Sequence, residues 1–123
     1  MNWKMIPAPP ITSLHVDPDW KTAFHEEWET RFRKVARDLG LKRQQYTVRS
    51  NKAGPAILGE VTLHSDSLYV QVGGSLSGQE SQILYRSCTS QSDYCGDTNH
   101  YMSTDTFKSE YWIALDLFKK VAS

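Results

Sequence analysis

Apolar residues recur every three or four positions early in the chain, which is the spacing of one face of a helix. The stripe consists of Trp20, Phe24, Trp28, Phe32, Val35 and Leu39. Asp17 suits the N-cap, Pro18 suits the first helical position, and Gly40 suits the left-handed conformation that ends many helices. The sequence therefore predicts a helix that starts at Pro18, ends before Gly40 and packs its aromatic stripe against a sheet.

After Gly40 the apolar period changes from about 3.6 to 2, the repeat of a half-buried strand. Four stretches show this pattern, at 45–50, 57–64, 68–73 and 82–88. Gly, Pro, Asn, Asp and Ser separate them at 51–55, 64–67 and 73–78. The links are short, and parallel neighbours need a long crossover, so the pattern predicts an antiparallel meander.

The two ends of the chain have different patterns. Residues 1–16, with Pro7, Pro9 and Pro10, predict an extended arm, because proline fixes φ and restricts the residue before it. Residues 89–104 are polar and predict a loop. Asp105 then suits the start of a last helix through Val121, whose apolar stripe is Phe107, Tyr111, Ala114, Leu115, Phe118 and Val121.

This order predicts an α+β fold. We expect one domain, residues 17–123, in which an antiparallel sheet of about four strands is covered on one face by an N-terminal and a C-terminal helix. The alternation of the strands assigns a polar set to the other face: Thr47, Arg49, Glu60, Thr62, His64, Tyr69, Gln71 and Arg86. A shift of one residue in register would exchange Tyr69 and Arg86 with the opposite face.

Composition narrows the class of protein. The chain has 123 residues and a formal net charge of zero, and it contains no apolar run near 18 residues, so we expect no membrane span. The first residues lack the long apolar stretch of a signal peptide, which predicts a cytoplasmic protein. Two cysteines are too few for a scaffold held by disulfides.

Charge is distributed unevenly along the chain. Residues 31–52 hold eight basic residues against one acidic residue, a charge of +7, and the rest of the chain carries −7. Such a block favours a positive surface for phosphates or for an acidic protein. The alternative is a solvated helix face whose cations offset the negative end of the helix dipole.

The order of one helix, several strands and one helix resembles the double-stranded RNA-binding domain in outline. That family places a cluster of lysines at the start of its second helix, where the RNA backbone binds. Here the corresponding residues, 106–110, read Thr-Phe-Lys-Ser-Glu, with one lysine and a glutamate. The chain departs from the family at its main phosphate contact, and we do not assign it there.

Cys88, Cys95 and His100 are the residues of the polar loop that suggest chemistry. Their spacing, Cys-x₆-Cys-x₄-His, lacks the close cysteine pair of most zinc sites, and a cytosolic disulfide is uncommon, so two reduced thiols are favoured over either. Catalysis by Cys95 with His100 would need a hydrogen bond between them and a lowered thiol pKa. Asp93, Asp97 and Asn99 do not have the spacing of a calcium loop and are better suited to holding a turn.

The polar face of the sheet is a further candidate site. His64, Tyr69, Arg49, Arg86 and Glu60 would line a shallow pocket there, although such residues more often form cross-strand pairs. The glycine stretch at 73–78 lacks the Lys-Ser/Thr of a phosphate loop. No motif in the sequence implies a metal or another cofactor.

These patterns favour a small, non-catalytic binding protein. We expect its partner to be another protein, in the manner of an inhibitor, an immunity or anti-defence protein, or a regulatory adaptor of bacteria and their mobile elements. The candidate contact residues are Arg31, Arg33, Lys34, Arg37, Arg43, Arg49, Asp93, Tyr94, Asp97 and His100. The alternatives are nucleic-acid binding through residues 31–52, a small enzyme built on Cys95 and His100 or on the polar sheet face, and a homodimer formed through exposed aromatics.

Overall fold

Two short strands are the first elements of the computed structural model, β1 (Ile11–Thr12) and β2 (His15–Val16), which pair antiparallel with each other. The structure describes residues 11–12, 15–16, 18–52, 58–73 and 82–123. The proline-containing stretch of the predicted arm, the predicted N-cap Asp17, and most of the predicted turn 51–55 and loop 73–78 lie outside these residues.

Helix α1 (Pro18–Asp38) confirms the first apolar stripe. Phe24, Trp28, Phe32 and Val35 are buried along it. The helix ends as its glycine predicts: Gly40 has φ +78°, its N–H donates to the Arg37 carbonyl at 3.0 Å, and the Leu41 N–H donates to the Ala36 carbonyl at 2.9 Å. These two bonds form a Schellman motif, which satisfies carbonyls that the end of the helix would otherwise leave unpaired.

One antiparallel sheet follows, with five strands in chain order. Its strands are β3 (Tyr46–Asn51), β4 (Glu60–Ser65), β5 (Leu68–Gly73), β6 (Gln82–Ser87) and β7 (His100–Ser103). The α+β prediction is confirmed, and the sheet has one strand more than the four that the pattern indicates. The extra strand β7 lies inside the stretch predicted as a loop. Only its Met102 is buried, so four residues gave too short an alternation to detect.

The predicted last helix is two helices. Helix α2 (Thr104–Ser109) and helix α3 (Tyr111–Ala122) meet at Glu110, whose φ of −127° and ψ of 50° interrupt the helical backbone. Asp105 was expected as the cap, but the Ser103 side chain caps α2 by accepting a hydrogen bond from the Thr106 N–H at 3.0 Å. The break lets α2 pack on β7 while α3 packs on β6 and β5.

The helices cover one face of the sheet, as predicted. Helix α1 contacts β3 and β4, and α3 contacts β5 and β6. Between them lie fully buried strand residues, Val61, Leu63, Val70, Val72 and Ile83. An aromatic cluster joins the helices, with Trp28 5.5 Å from Phe107 and Phe107 6.4 Å from Phe118 between ring centroids. Burial of each side chain of this size contributes about 1.5–3 kcal/mol to folding. Among the described residues, no helix is both long enough and apolar enough to cross a membrane.

Substitution of Gly40 by alanine tests the helix end. A Cβ at Gly40 would meet nothing within 4 Å, so only the positive φ opposes it. We expect Gly40→Ala to lower the free energy of unfolding by about 1 kcal/mol, measured by urea denaturation. Gly73→Ala is the matched control, because a Cβ there also meets nothing within 4 Å and the φ of Gly73 is not positive. Equal stability of the two variants would contradict the assignment of Gly40 to the left-handed conformation that ends α1.

Candidate functional site

The second face of the sheet carries the polar residues that the strand alternation assigns to it. The register pairs Thr47 with His64, His64 with Tyr69 and Tyr69 with Arg86, which makes one cross-strand row. The next row runs through Arg49, Thr62 and Gln71. The predicted face is therefore confirmed, including Tyr69 and Arg86, whose assignment depended on the register.

The loop of residues 88–99 folds over the first of these rows, and Arg86 fixes it there. Arg86 Nη1 donates to Asn99 Oδ1 at 3.1 Å, and Nη2 donates to the Tyr94 carbonyl at 2.6 Å. The guanidinium carbon lies 4.2 Å from the centroid of the Tyr69 ring, close enough for a cation–π interaction. As a result His64, Tyr69 and Arg86 are buried instead of facing solvent, which the sequence did not indicate.

Asp93 organises the loop from within. Its carboxylate accepts hydrogen bonds from the backbone N–H groups of Gly96, Thr89 and Cys95 at 3.0–3.1 Å, and these bonds lower the pKa of Asp93 to about 2. Gly96 has φ +60°, and a Cβ there would lie 2.6 Å from Nε of Arg86. Asp93 thus holds a turn, as the sequence suggested, and Gly96 allows the loop to approach Arg86.

His64 lies under the loop with 5% of its surface exposed. Its ring meets Tyr69 and Tyr94 edge to face, at 5.0 and 5.3 Å between centroids. Burial lowers the pKa of His64 more than its hydrogen bond to the Ser90 backbone raises it, so the ring is neutral at pH 7. Its Nε2 has no hydrogen-bond partner within the described part of the chain.

A pocket of about 200 Å³ opens on this face beside His64. Its walls are Thr47, Arg49, Asn51, Glu60, Thr62, His64, Tyr69, Gln91 and Tyr94. The shallow pocket expected from His64, Tyr69, Arg49 and Glu60 is therefore present. Arg86, which was expected to line the pocket as well, instead holds the loop in place. Gln91 closes one side of the pocket. Its amide oxygen accepts a hydrogen bond from the Thr47 hydroxyl at 2.9 Å, and its amide N–H donates to the Gln44 carbonyl at 3.1 Å. Nothing in the sequence pattern marked Gln91.

Six of the eight basic residues of 31–52 are divided between three places. Arg31 pairs with Glu27 at 3.0 Å and Lys34 with Asp38 at 2.6 Å, on the side of α1 that faces α2 and α3. Arg49 lies on the face with the pocket. The third place is a wide groove at the edge of β3, here called the arginine groove, of about 510 Å³. Its walls are Arg33, Arg37, Leu41, Arg43, Tyr46, Thr47 and Val48.

The remaining candidates of the loop lie apart from one another. Cys88 is buried and its thiol donates to the Ser65 carbonyl at 3.2 Å, while Cys95 is exposed, and both cysteines are free. The His100 ring stacks on Tyr85 at 5.3 Å on the helix-covered side of the sheet. In the ranges that the structure describes, no three His, Cys, Asp or Glu side chains are grouped to hold a metal ion. Tyr94 is 57% exposed, and Asp97 is exposed.

Comparison with known proteins gives no relative: no family model, no curated protein and no solved structure matches the chain. The residues of the pocket and of the arginine groove therefore carry the functional interpretation.

Acid titration tests the role of Asp93. Its pKa of about 2 lies below the ordinary 3.8, so the ionised carboxylate stabilises the fold above about pH 4, and this contribution is lost as the pH falls through about 2. We expect Asp93→Asn to be less stable than the native chain at pH 7, with a difference that shrinks at low pH, measured by urea midpoints along a pH series. Asp97→Asn, an exposed neighbour, serves as the control and should follow the native profile. Parallel profiles for Asp93→Asn and the native chain would contradict this role.

Alkylation separates the two thiols. Burial raises the pKa of Cys88, so we expect iodoacetamide to modify one cysteine in the folded protein and both after denaturation, counted by mass spectrometry. Cys95→Ser should leave the folded protein unmodified. Rapid modification of Cys88 in the folded state would contradict its placement. Unusually fast modification of Cys95 at neutral pH would favour the enzyme alternative.

Proposed function

We propose that the chain is a non-catalytic binding protein and that its contact surface for a protein partner is the arginine groove. The observation that supports the proposal is the convergence of Arg33, Arg37 and Arg43 along one groove at the edge of the sheet. Three arginines along one groove favour a partner that presents carboxylates, which arginine binds in bidentate fashion.

The charge of these arginines is available to a partner. Arg37 and Arg43 form no ion pair with any residue that the structure describes. Arg33 has only a 3.5 Å pair with Glu29 on the helix surface, a type of pair worth little. Arg31 and Lys34, which the sequence placed in the same candidate set, are closely paired with acidic residues, so we leave them out of the contact surface.

The edge of β3 adds a second recognition element to the groove. Strand β3 pairs with β4 on one side, and no described strand pairs with its other side. An extended segment that joins such an edge gains backbone hydrogen bonds, while the side chains beside it select the sequence. We therefore propose an acidic, extended segment of another protein as the occupant, with the arginines also accelerating its association.

We also propose that the protein acts in the cytoplasm, as an inhibitor, an immunity or anti-defence protein, or a regulatory adaptor. The two free cysteines support the compartment, because thiols stay reduced in the cytosol. The small size of the domain and its exposed groove support this class of binding protein.

Charge reversal in the groove tests the proposal. We expect an acidic peptide of alternating Glu and Thr to shift the backbone amide signals of β3 and to bind less tightly as salt increases. Arg37→Glu with Arg43→Glu should weaken this binding by about tenfold or more, since charged hydrogen bonds are worth about 1.5–3 kcal/mol each. Lys119→Glu with Lys120→Glu, on the exposed surface of α3, makes the same change in net charge and should have little effect.

Two outcomes would contradict the proposal. One is the absence of amide shifts in β3 at any salt concentration. The other is tighter binding of a single-stranded oligonucleotide of equal charge with a steep salt dependence, which would favour the nucleic-acid alternative.

A further inference from the structure

We propose that the pocket on the second face of the sheet binds a free α-amino acid with an aromatic side chain. Its lining combines a cation, Arg49, with an anion, Glu60, and with the rings of His64, Tyr69 and Tyr94. The site is separate from the arginine groove, although Thr47 of β3 contributes to both.

The two charges match the two ends of an amino acid. Arg49 lies on β3 opposite Thr62, and Glu60 lies two residues from Thr62 on β4. Adjacent strands are about 4.8 Å apart, and two residues span about 6.8 Å, so both side chains reach the same small space. Neither forms an ion pair within the described chain. A ligand that brings a carboxylate to Arg49 and an ammonium to Glu60 would satisfy both charges at once.

Free amino acids carry these two groups on one carbon, whereas a residue inside a peptide carries neither. Nucleotides offer an anion for Arg49, but they are large for this site. Pockets for drug-sized ligands span about 300–1,000 Å³. A pocket of about 200 Å³ therefore favours a smaller molecule.

The rings determine the rest of the ligand. His64 and Tyr94 meet edge to face at 5.3 Å, and Tyr94 keeps 57% of its surface exposed. A further ring can pack against this pair with a geometry that aromatic groups prefer. Apolar branched side chains would fill the same volume without that contact, so the lining favours an aromatic side chain.

Arg86 prepares the pocket before a ligand arrives. It fixes the Tyr94 carbonyl at 2.6 Å, so the backbone that carries the Tyr94 ring is already in place. A site of this kind loses little conformational freedom on binding, which favours affinity.

Titration of the full chain with L-tyrosine, followed by amide NMR shifts, tests the proposal. We expect saturable shifts in residues 47–51, 60–64 and 94, and L-phenylalanine, which carries the same two charges and an aromatic ring, should shift the same signals. Tyramine lacks the carboxylate and 3-(4-hydroxyphenyl)propionate lacks the ammonium. The affinity of each should therefore be at least about tenfold lower than that of L-tyrosine. Arg49→Gln and Glu60→Gln should each lower the affinity for L-tyrosine by a similar factor. Arg43→Gln and Glu26→Gln, outside the pocket, are the matched controls.

Several results would overturn the proposal. They are the absence of shifts at millimolar L-tyrosine, equal binding of the two single-charge analogues, or preferential binding of a nucleoside monophosphate. Failure of the amino-acid proposal is distinguishable from failure of the proposed function of the arginine groove. Arg49→Gln should still bind the acidic peptide, and Arg43→Gln should still bind L-tyrosine.

Discussion

The position of Arg86 is the constraint on which the functional face depends. Its guanidinium is buried against the Tyr69 ring and donates to the Tyr94 carbonyl and to Asn99. No carboxylate within the described residues forms an ion pair with it, so neutral acceptors and an aromatic ring compensate a buried charge. Such a charge is costly to bury, and it stays buried only while all of these partners remain in place. The loop of residues 88–99 is therefore a fixed wall of the pocket.

The two candidate surfaces meet at β3 and use its residues differently. Side chains of one parity, such as Arg49, face the pocket, while Arg33 and Arg37 of α1 reach over the outer edge of the same strand. Thr47 lies at the boundary between the pocket and the arginine groove, and its hydroxyl donates a hydrogen bond to the side-chain oxygen of Gln91 in the loop. The two surfaces are therefore adjacent on β3, with Thr47 lining both of them.

The sequence predicts those features that depend on local pattern. The stripe of α1 and the Gly40 end follow from spacing and from the conformational freedom of glycine. The division of the basic residues of α1 was not predicted, because the sequence analysis placed Arg31 and Lys34 in one candidate set with Arg33 and Arg37. Helical geometry does separate Arg31 from Arg33, by about 200° at 100° per residue. Strand β7 was missed because only Met102 marks its buried side. The approach of Asn99 to Arg86 depends on the path of a whole loop, and no periodicity encodes it.

The outer edge of β3, with which no described strand pairs, affects how copies of this protein behave at high concentration. An unpaired strand edge normally invites another molecule to extend the sheet, which is a route to aggregation. Here two copies meeting at that edge would bring Arg33, Arg37 and Arg43 of each into proximity, and like charges would repel at low ionic strength. This repulsion opposes self-association through the edge. Added salt would screen the repulsion and so make self-association easier.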